Sequence, residues 1–342
     1  MQHFSYILQH RTILITGGAG YIGRIVQSIL EQAGATVWVL DDLSGSSSPL
    51  CKRRFIEMSL LNKESLRTFF QSHSFDAVVH LAGKINVGES VVEPDLYWKH
   101  NVTATQYLID AMTPCCKNII FASSAAVYGS HTHFVSEMSE CTPTSPYGEG
   151  KLAAEKFIQN SPLHSIVFRL FNVAGAIQHP INNMQMLGEE HNPETHLIPR
   201  VIQTHLAQRK FAIFGNQHNT PDGTCMREYI HVKDVAKAIT VGIHSMLSRD
   251  RSNSSGRHRT FNLSSGHGYS VFEVVQKISD CGVELGYDPI QYTVDKARLG
   301  DPDQISSSIE SVQTNLQWKP KHSDLTEIVK SAWKHQLSQL KN

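Results

Sequence analysis

Short runs of β-branched and other apolar residues alternate, through the first half of the chain, with segments of helical periodicity. Thr12–Thr16, Thr36–Leu40, Phe55–Met58, Ala77–Leu81, Asn118–Ala122 and Ser165–Phe171 read as strands. Between most of them lie helical patterns such as Ile25, Val26, Ile29 and Leu30, whose spacing puts one apolar stripe on a helix. A run as uniformly apolar as Val37-Trp38-Val39-Leu40 suits a strand covered on both faces. The alternation predicts parallel β-α-β units and an α/β fold, a doubly wound parallel (Rossmann) sheet.

After Asn172 the rhythm breaks. Gln178 to Pro199, rich in Asn, Pro, Glu and His, reads as loops with short helices, and Arg249 to Arg259 as a mobile surface loop. Leu325, Ile328, Val329, Ala332, Trp333 and Leu340 predict an amphipathic terminal helix. No internal repeat is visible.

Composition narrows the function classes. At 342 residues the chain can bury an ample core without staples. Its 31 basic and 31 acidic residues balance, so no net charge points to nucleic acid or an anionic membrane, and an anionic ligand needs a local pocket. The six cysteines show no C-x-x-C spacing, and adjacent Cys115 and Cys116 make a poor disulfide, which predicts reduced thiols in a cytosol. The short apolar stretch Phe4 to Leu8 lacks the basic flank of a signal peptide, and no run is long enough to span a bilayer. The expectation is a soluble, cytoplasmic protein.

Gly17, Gly20 and Gly23 follow the strand Ile13-Leu14-Ile15-Thr16 and precede the first helical pattern. Glycines there let the turn form and let the backbone approach a pyrophosphate, whose charge sits at the helix N-terminus. Asp41 closes the next strand about 20 residues on, where an acid meets the adenosine ribose of a dinucleotide. Asp41 and Asp42, with no basic residue before Lys52, would repel a 2′-phosphate, so NAD is favoured over NADP. The expected division is an NAD-binding domain over 11–176 plus 227–264 and a smaller, discontinuous domain over 177–226 plus 265–342, with the cleft between them as the site.

Ser145-Pro146 suits a helix start, and Tyr147 and Lys151 then share one helix face. On its own such a pair is usually a solvated face. Its chemical interest is that a phenol near pKa 10 is a poor base at neutral pH, whereas a neighbouring ammonium, a positive nicotinamide ring and a helix N-terminus all favour the phenolate. Ser124, ending a strand, can share the proton of a sugar hydroxyl with Tyr147. His131-Thr132-His133 and the pair His191 and His196 invite a metal reading. Without an H-E-x-x-H motif or a cysteine partner they are read as loop residues, and no metal is expected.

With these residues in place the chain resembles the UDP-galactose 4-epimerase family of the extended short-chain dehydrogenase/reductases, over nearly its whole length from Thr12. The matching stretches are Thr16 to Gly23, His80 to Gly83, Val87 to Ser90, Ser123 to Gly129, Ser145 to Gly148, Arg169, Phe171-Asn172, Asn192 to Pro199, Ala212 to Gly215, Arg227 to Val232, Arg298 and Gly300-Asp301. The resemblance implies that Ser124, Tyr147 and Lys151 carry catalysis. It implies NAD held by Gly17, Gly20, Tyr21, Ile22, Gly23, Asp41, Asp42, Leu81, Ala82, Gly83, Asn101, Ser123, Tyr147 and Lys151. Asn172, His196, Leu197, Ala212, Phe214, Arg227, Arg298 and Asp301, with Ser124 and Tyr147, would hold a UDP-sugar. It also implies a homodimer through helices near Thr103–Met112 and Leu152–Ile158.

Several positions depart from the family. Ser59 replaces a usual acid near the adenine, Ile85 stands where a lysine is usual, Leu170 replaces a tyrosine, and Gly150 a Ser or Thr. Ile305 occupies the position that gates sugar size. A 4,6-dehydratase or decarboxylase carries an acid just after the catalytic Ser/Thr, where this chain has Ala125 and Ala126. Epimerases of pentose, uronate or N-acetylhexosamine nucleotides, and an inactive nucleotide-binding relative, stay open at this stage.

Overall fold

The computed structural model describes residues 7–45, 49–50, 52–129, 134–180, 182, 185–248, 256–297 and 302–340. Seven strands form one sheet in the order His258–Leu263, His164–Leu170, Asn118–Ser124, Ala77–His80, Thr12–Thr16, Thr36–Asp41 and Phe55–Glu57, and every neighbouring pair is parallel. The six strands read from the sequence are all here, with ends moved by up to two residues.

Alternation along each strand feeds two separate cores. Ile13, Ile15, Val37, Val39, Ile120 and Phe168 pack under the helices Tyr21–Gln32 and Val232–Leu247. Leu14, Leu40, Val78, Phe121 and Val167 face the helices Lys63–Ser72, Ala104–Met112 and Pro146–Gln159 on the other side. Burial on both faces accounts for the uniformly apolar strands.

The rest of the chain builds a third core around Trp333, which is fully buried and donates its indole N–H to Ile278 O at 3.0 Å. Three helices meet there: Leu197–Leu206, Val271–Glu284 and Leu325–Gln339. The last is the predicted terminal helix, except that Leu340 lies just beyond it and is exposed. A smaller mixed sheet centres on Met226–His231, flanked by Asn172–Ala174, Gly268–Ser270 and Gln304–Ser307.

Two expectations need correcting. The segment after Gln178 holds no helix before Leu197 among the described residues; Met186–Leu187 instead pairs antiparallel with Ile177–Gln178. The Arg- and Ser-rich stretch read as a loop up to Arg259 gives way at His258 to the outermost strand of the large sheet, while 249–255 lie outside the described residues. Strand pairing decides both segments, and pairing leaves no local periodicity. Among the described residues no helix is long and apolar enough to cross a membrane.

Candidate active site

The residues expected to act together cluster at the carboxyl ends of the central parallel strands, where open α/β sheets place their ligands. Gly17 adopts φ +71°, and a Cβ there would lie 2.5 Å from Ala82 N. A Cβ on Gly23 would lie 2.3 Å from Gly17 O, so only glycine lets the helix start this close to the turn. Gly20 caps the helix Tyr21–Gln32 with no side chain bonded to its first amides, which leaves those N–H groups for an anion. Ile22 lies in that first turn, and the Tyr21 hydroxyl donates to Gly175 O at 2.6 Å.

Asp41 is buried and accepts from Ala19 N at 3.0 Å and Leu43 N at 2.9 Å, so its carboxylate braces the glycine turn. Beside it, partial burial of Asp42 is outweighed by hydrogen bonds from Ser44 and Ser59, which hold its pKa below the usual value. Ser59, the departure from the family pattern, therefore serves Asp42. These features fit NAD: a cradle that a Cβ would fill, an uncapped helix start and two acids at the ribose end.

Leu81, Ala82 and Gly83 follow the strand Ala77–His80. Asn101 closes over them, its amide oxygen accepting from Lys84 N at 2.8 Å and its NH2 donating to Lys84 O at 2.9 Å. The Asn101 side chain, expected to hold NAD, thus braces the loop. A buried relay links the two halves of this pocket. Thr105 donates to Asn101 O, so it must accept from His80 Nε2–H at 2.9 Å, which leaves His80 Nδ1 to accept from Thr16 at 2.7 Å.

Burial holds His80 neutral with a pKa of about 3, and His231, likewise buried, also sits at about 3. Both values lie below the ordinary 6.5, so the unfolded chain binds more protons as pH falls through 6.5. Folded stability is therefore expected to decline from about pH 6.5 towards 3. Urea midpoints measured from neutral pH down to about 5 should fall, and less steeply in His80→Gln; equal slopes would contradict this account.

The helix Pro146–Gln159 starts as read: Ser145 caps it, accepting from Gly148 N at 3.2 Å, with Pro146 in the first turn. It presents Tyr147 and Lys151 inward, 9% and 5% exposed. Lys151 Nζ donates to Ala122 O at 2.9 Å and lies 5.9 Å from the centre of the Tyr147 ring. Ser124, at the end of the strand Asn118–Ser124, is hydrogen-bonded to Tyr147. Burial raises the Tyr147 pKa, the Ser124 bond opposing it; burial lowers Lys151 to about 8, with Glu155 pulling it back up. Desolvation thus wins over the expected lowering of the phenol among the chain's own groups. A phenolate here calls for the further positive charge of an oxidised nicotinamide.

Three contributors escaped the sequence reading. Tyr97 meets Tyr147 edge-on at 6.4 Å, and Ser90 Oγ accepts from Tyr147 N at 3.2 Å. Ser123 bonds to Glu155, which Arg169 grips through Nη2 at 2.8 Å and Nε at 3.1 Å. A glutamate one turn beyond Lys151 looks like a solvated helix face in the sequence, and only its fold neighbours reveal it.

Of the nucleotide-sugar residues, Asn172 lies on the strand Asn172–Ala174 and Arg227 on Met226–His231, which pair with each other. Ile305 is opposite Arg227 on the next strand. Ala212 and Phe214 alternate with core residues Phe211 and Ile213, and so turn their side chains away from that core. His196 stands at the N-cap position of the helix that begins at Leu197, without a side-chain capping bond. Arg298 and Asp301 lie outside the described residues, as do His131 and His133.

Residues 13–262 match the NAD dependent epimerase/dehydratase family. The chain belongs to that family. It is 40% identical over 329 residues to a UDP-glucose 4-epimerase of Halalkalibacterium halodurans, covering 94% of each chain. Among solved epimerase structures it resembles that of Brucella ovis UDP-glucose 4-epimerase in complex with NAD, with TM-score 0.85, 32% identity, and 95% of this chain and 98% of that one covered. The Bifidobacterium longum UDP-glucose 4-epimerase in complex with NAD+ and UDP aligns with TM-score 0.86 at 28% identity, over 96% and 99% of the two chains.

Proposed function

We propose that this protein inverts the configuration at C4 of a UDP-hexose, interconverting UDP-glucose and UDP-galactose with tightly bound NAD. The observation that carries this reading is the buried pair Tyr147 and Lys151, with the half-buried Ser124 bonded to Tyr147, beside the glycine turn in a chain so similar along its length to UDP-glucose 4-epimerases.

NAD, when bound, supplies reversible hydride exchange with sugar C4, so the reaction needs no outside oxidant. Gly17, Gly20, Tyr21, Ile22, Gly23, Asp41, Asp42, Leu81, Ala82, Gly83 and Ser123 frame its pocket. Tyr147 takes the proton of the 4-hydroxyl and returns it from the same phenol after the transient 4-ketone has turned over. Ser124 orients that hydroxyl, and Lys151 keeps positive charge beside the phenolate. Asn172, His196, Leu197, Ala212, Phe214, Arg227, Arg298 and Asp301 anchor the UDP part, with the two arginines suited to a diphosphate. A firmly held nucleotide lets the loosely held sugar present either face.

Ala125 and Ala126, in a short 3₁₀ turn after Ser124, offer no acid for a dehydratase. Ile305 packs against the cluster of Val127, Tyr128 and Phe171, and in this reading its bulk limits the size of the sugar. The same reading includes a cytoplasmic homodimer, formed through the helices carrying Thr103–Met112 and Leu152–Ile158.

Purified protein given UDP-galactose without added NAD is expected to form UDP-glucose, followed by a coupled dehydrogenase. No turnover, with NAD supplied as well, would move the assignment to another UDP-sugar. Failure on UDP-pentoses, uronates and N-acetylhexosamines too would leave a nucleotide-binding relative.

A further inference from the structure

Between the short strand Met186–Leu187 and the helix Leu197–Leu206, the chain folds four potential ligands onto one point: Glu189, His191, Glu194 and His196. Glu189 Oε1 lies 2.7 Å from His191 Nδ1 and 3.0 Å from His196 Nδ1. Glu194 Oε1 lies 3.1 Å from His196 Nδ1. One donor atom from each of the four residues falls within 4.8 Å of all the others. Both carboxylates have left solvent, their side chains being only 7% and 3% exposed.

A second observation points to a cation. Glu194 Oε2 is buried and has no hydrogen-bond partner. A buried carboxylate oxygen left so is costly, and a metal ion is one of the few groups that satisfies it. The near cations do not supply it: Arg24 is 2.8 Å from Glu190, and His335 faces Glu190 and the Glu189 carbonyl.

We propose that Glu189, His191, Glu194 and His196 form a zinc site. Two neutral imidazoles and two carboxylates offer a dianionic N2O2 set that a dication neutralises, the donor chemistry of zinc and its neighbours in the first transition row. With metal–ligand bonds of about 2.0–2.2 Å, tetrahedral donors stand about 3.4 Å apart. The observed separations, from 2.7 Å between the nearest pair to no more than 4.8 Å, bracket that value. Four protein ligands close the site, so the ion is structural and does no chemistry on the sugar.

The segment is otherwise held by few regular pairings, and the ion pins it where it enters the helix at Leu197. Both imidazoles coordinate through Nδ1, so His196 keeps Nε2–H as a donor. That second consequence rests on the proposed UDP contact at His196; zinc binding itself does not. With carboxylates in place of cysteines and no H-E-x-x-H spacing, the cluster carries neither common sequence signature of zinc.

The test uses the NAD-loaded protein prepared without chelators, with metal content measured by mass spectrometry and zinc titrated back after dipicolinate treatment. The expected result is one zinc per chain, a thermal midpoint that rises with added ZnCl2, and zinc affinity at least 10–100-fold weaker in His191→Ala. His191 is partly exposed and outside the catalytic trio, and circular dichroism checks that the variant folds. Cobalt in place of zinc should give the visible spectrum of a tetrahedral site. No zinc retained or regained, or equal affinity in His191→Ala, would overturn the proposal and leave the cluster as ion pairs alone. UDP-glucose formation is read in the same samples, so a failed zinc site and a failed epimerase reading give different results.

Discussion

Tyr147→Phe is expected to lower kcat by roughly 10²–10⁴-fold while the protein keeps its fold and its NAD. The ring is buried and packed edge-on against Tyr97, so losing one hydroxyl leaves the packing nearly intact. What disappears is the group proposed to take the 4-hydroxyl proton. The coupled assay reads the loss, and the absorbance of bound nicotinamide checks retention. Activity within tenfold of the parent would remove Tyr147 from the base role.

Lys151→Met separates the electrostatic part. Lys151 Nζ lies 5.9 Å from the centre of the Tyr147 ring, and at an effective dielectric near 20 an ammonium about 6 Å from a phenolate oxygen favours the phenolate by roughly 3 kcal/mol. Its removal should move the acid limb of the kcat profile up by about two pH units. In the parent, Lys151 itself loses its proton as pH rises through about 8, which places an alkaline decline above that value.

Glu155→Leu should be the most destabilising of the variants considered, at roughly 3–5 kcal/mol. Glu155 is 1% exposed and Arg169 6%, and the guanidinium holds the carboxylate through two bonds. Arg169 also donates to the Tyr128 hydroxyl at 3.0 Å, which donates in turn to Asn262 at 2.6 Å. Removing the acid leaves a buried cation whose remaining partners are neutral. Urea unfolding measures the loss, and Arg169→Met in the same chain should recover part of it, because the stranded charge goes too. Since Glu155 raises the Lys151 pKa, Glu155→Gln should also shift the alkaline limb to lower pH. A fully additive double variant would contradict the pairing.

The nucleotide half was legible because its strands and helices each bury a continuous apolar stripe, and because Gly17, Gly23, Ser145 and Pro146 are chosen by local backbone geometry. Tyr147, Lys151 and Ser124 were legible by order and spacing along the chain. Of the rest, only the terminal helix Leu325–Gln339 was legible. Strands of two or three residues, such as Ile177–Gln178 and Asn172–Ala174, exist only through their partners. Glu155 and Glu189 are ordinary polar residues until the fold removes their water.

The large sheet finishes late. Its outermost strand, His258–Leu263, lies roughly ninety residues beyond the strand His164–Leu170 that it covers. On the ribosome, at about 5–20 residues per second, the apolar run Ile166-Val167-Phe168 waits about 5–20 seconds with one edge unpaired. The nascent chain must shield that edge before its own covering strand has been made.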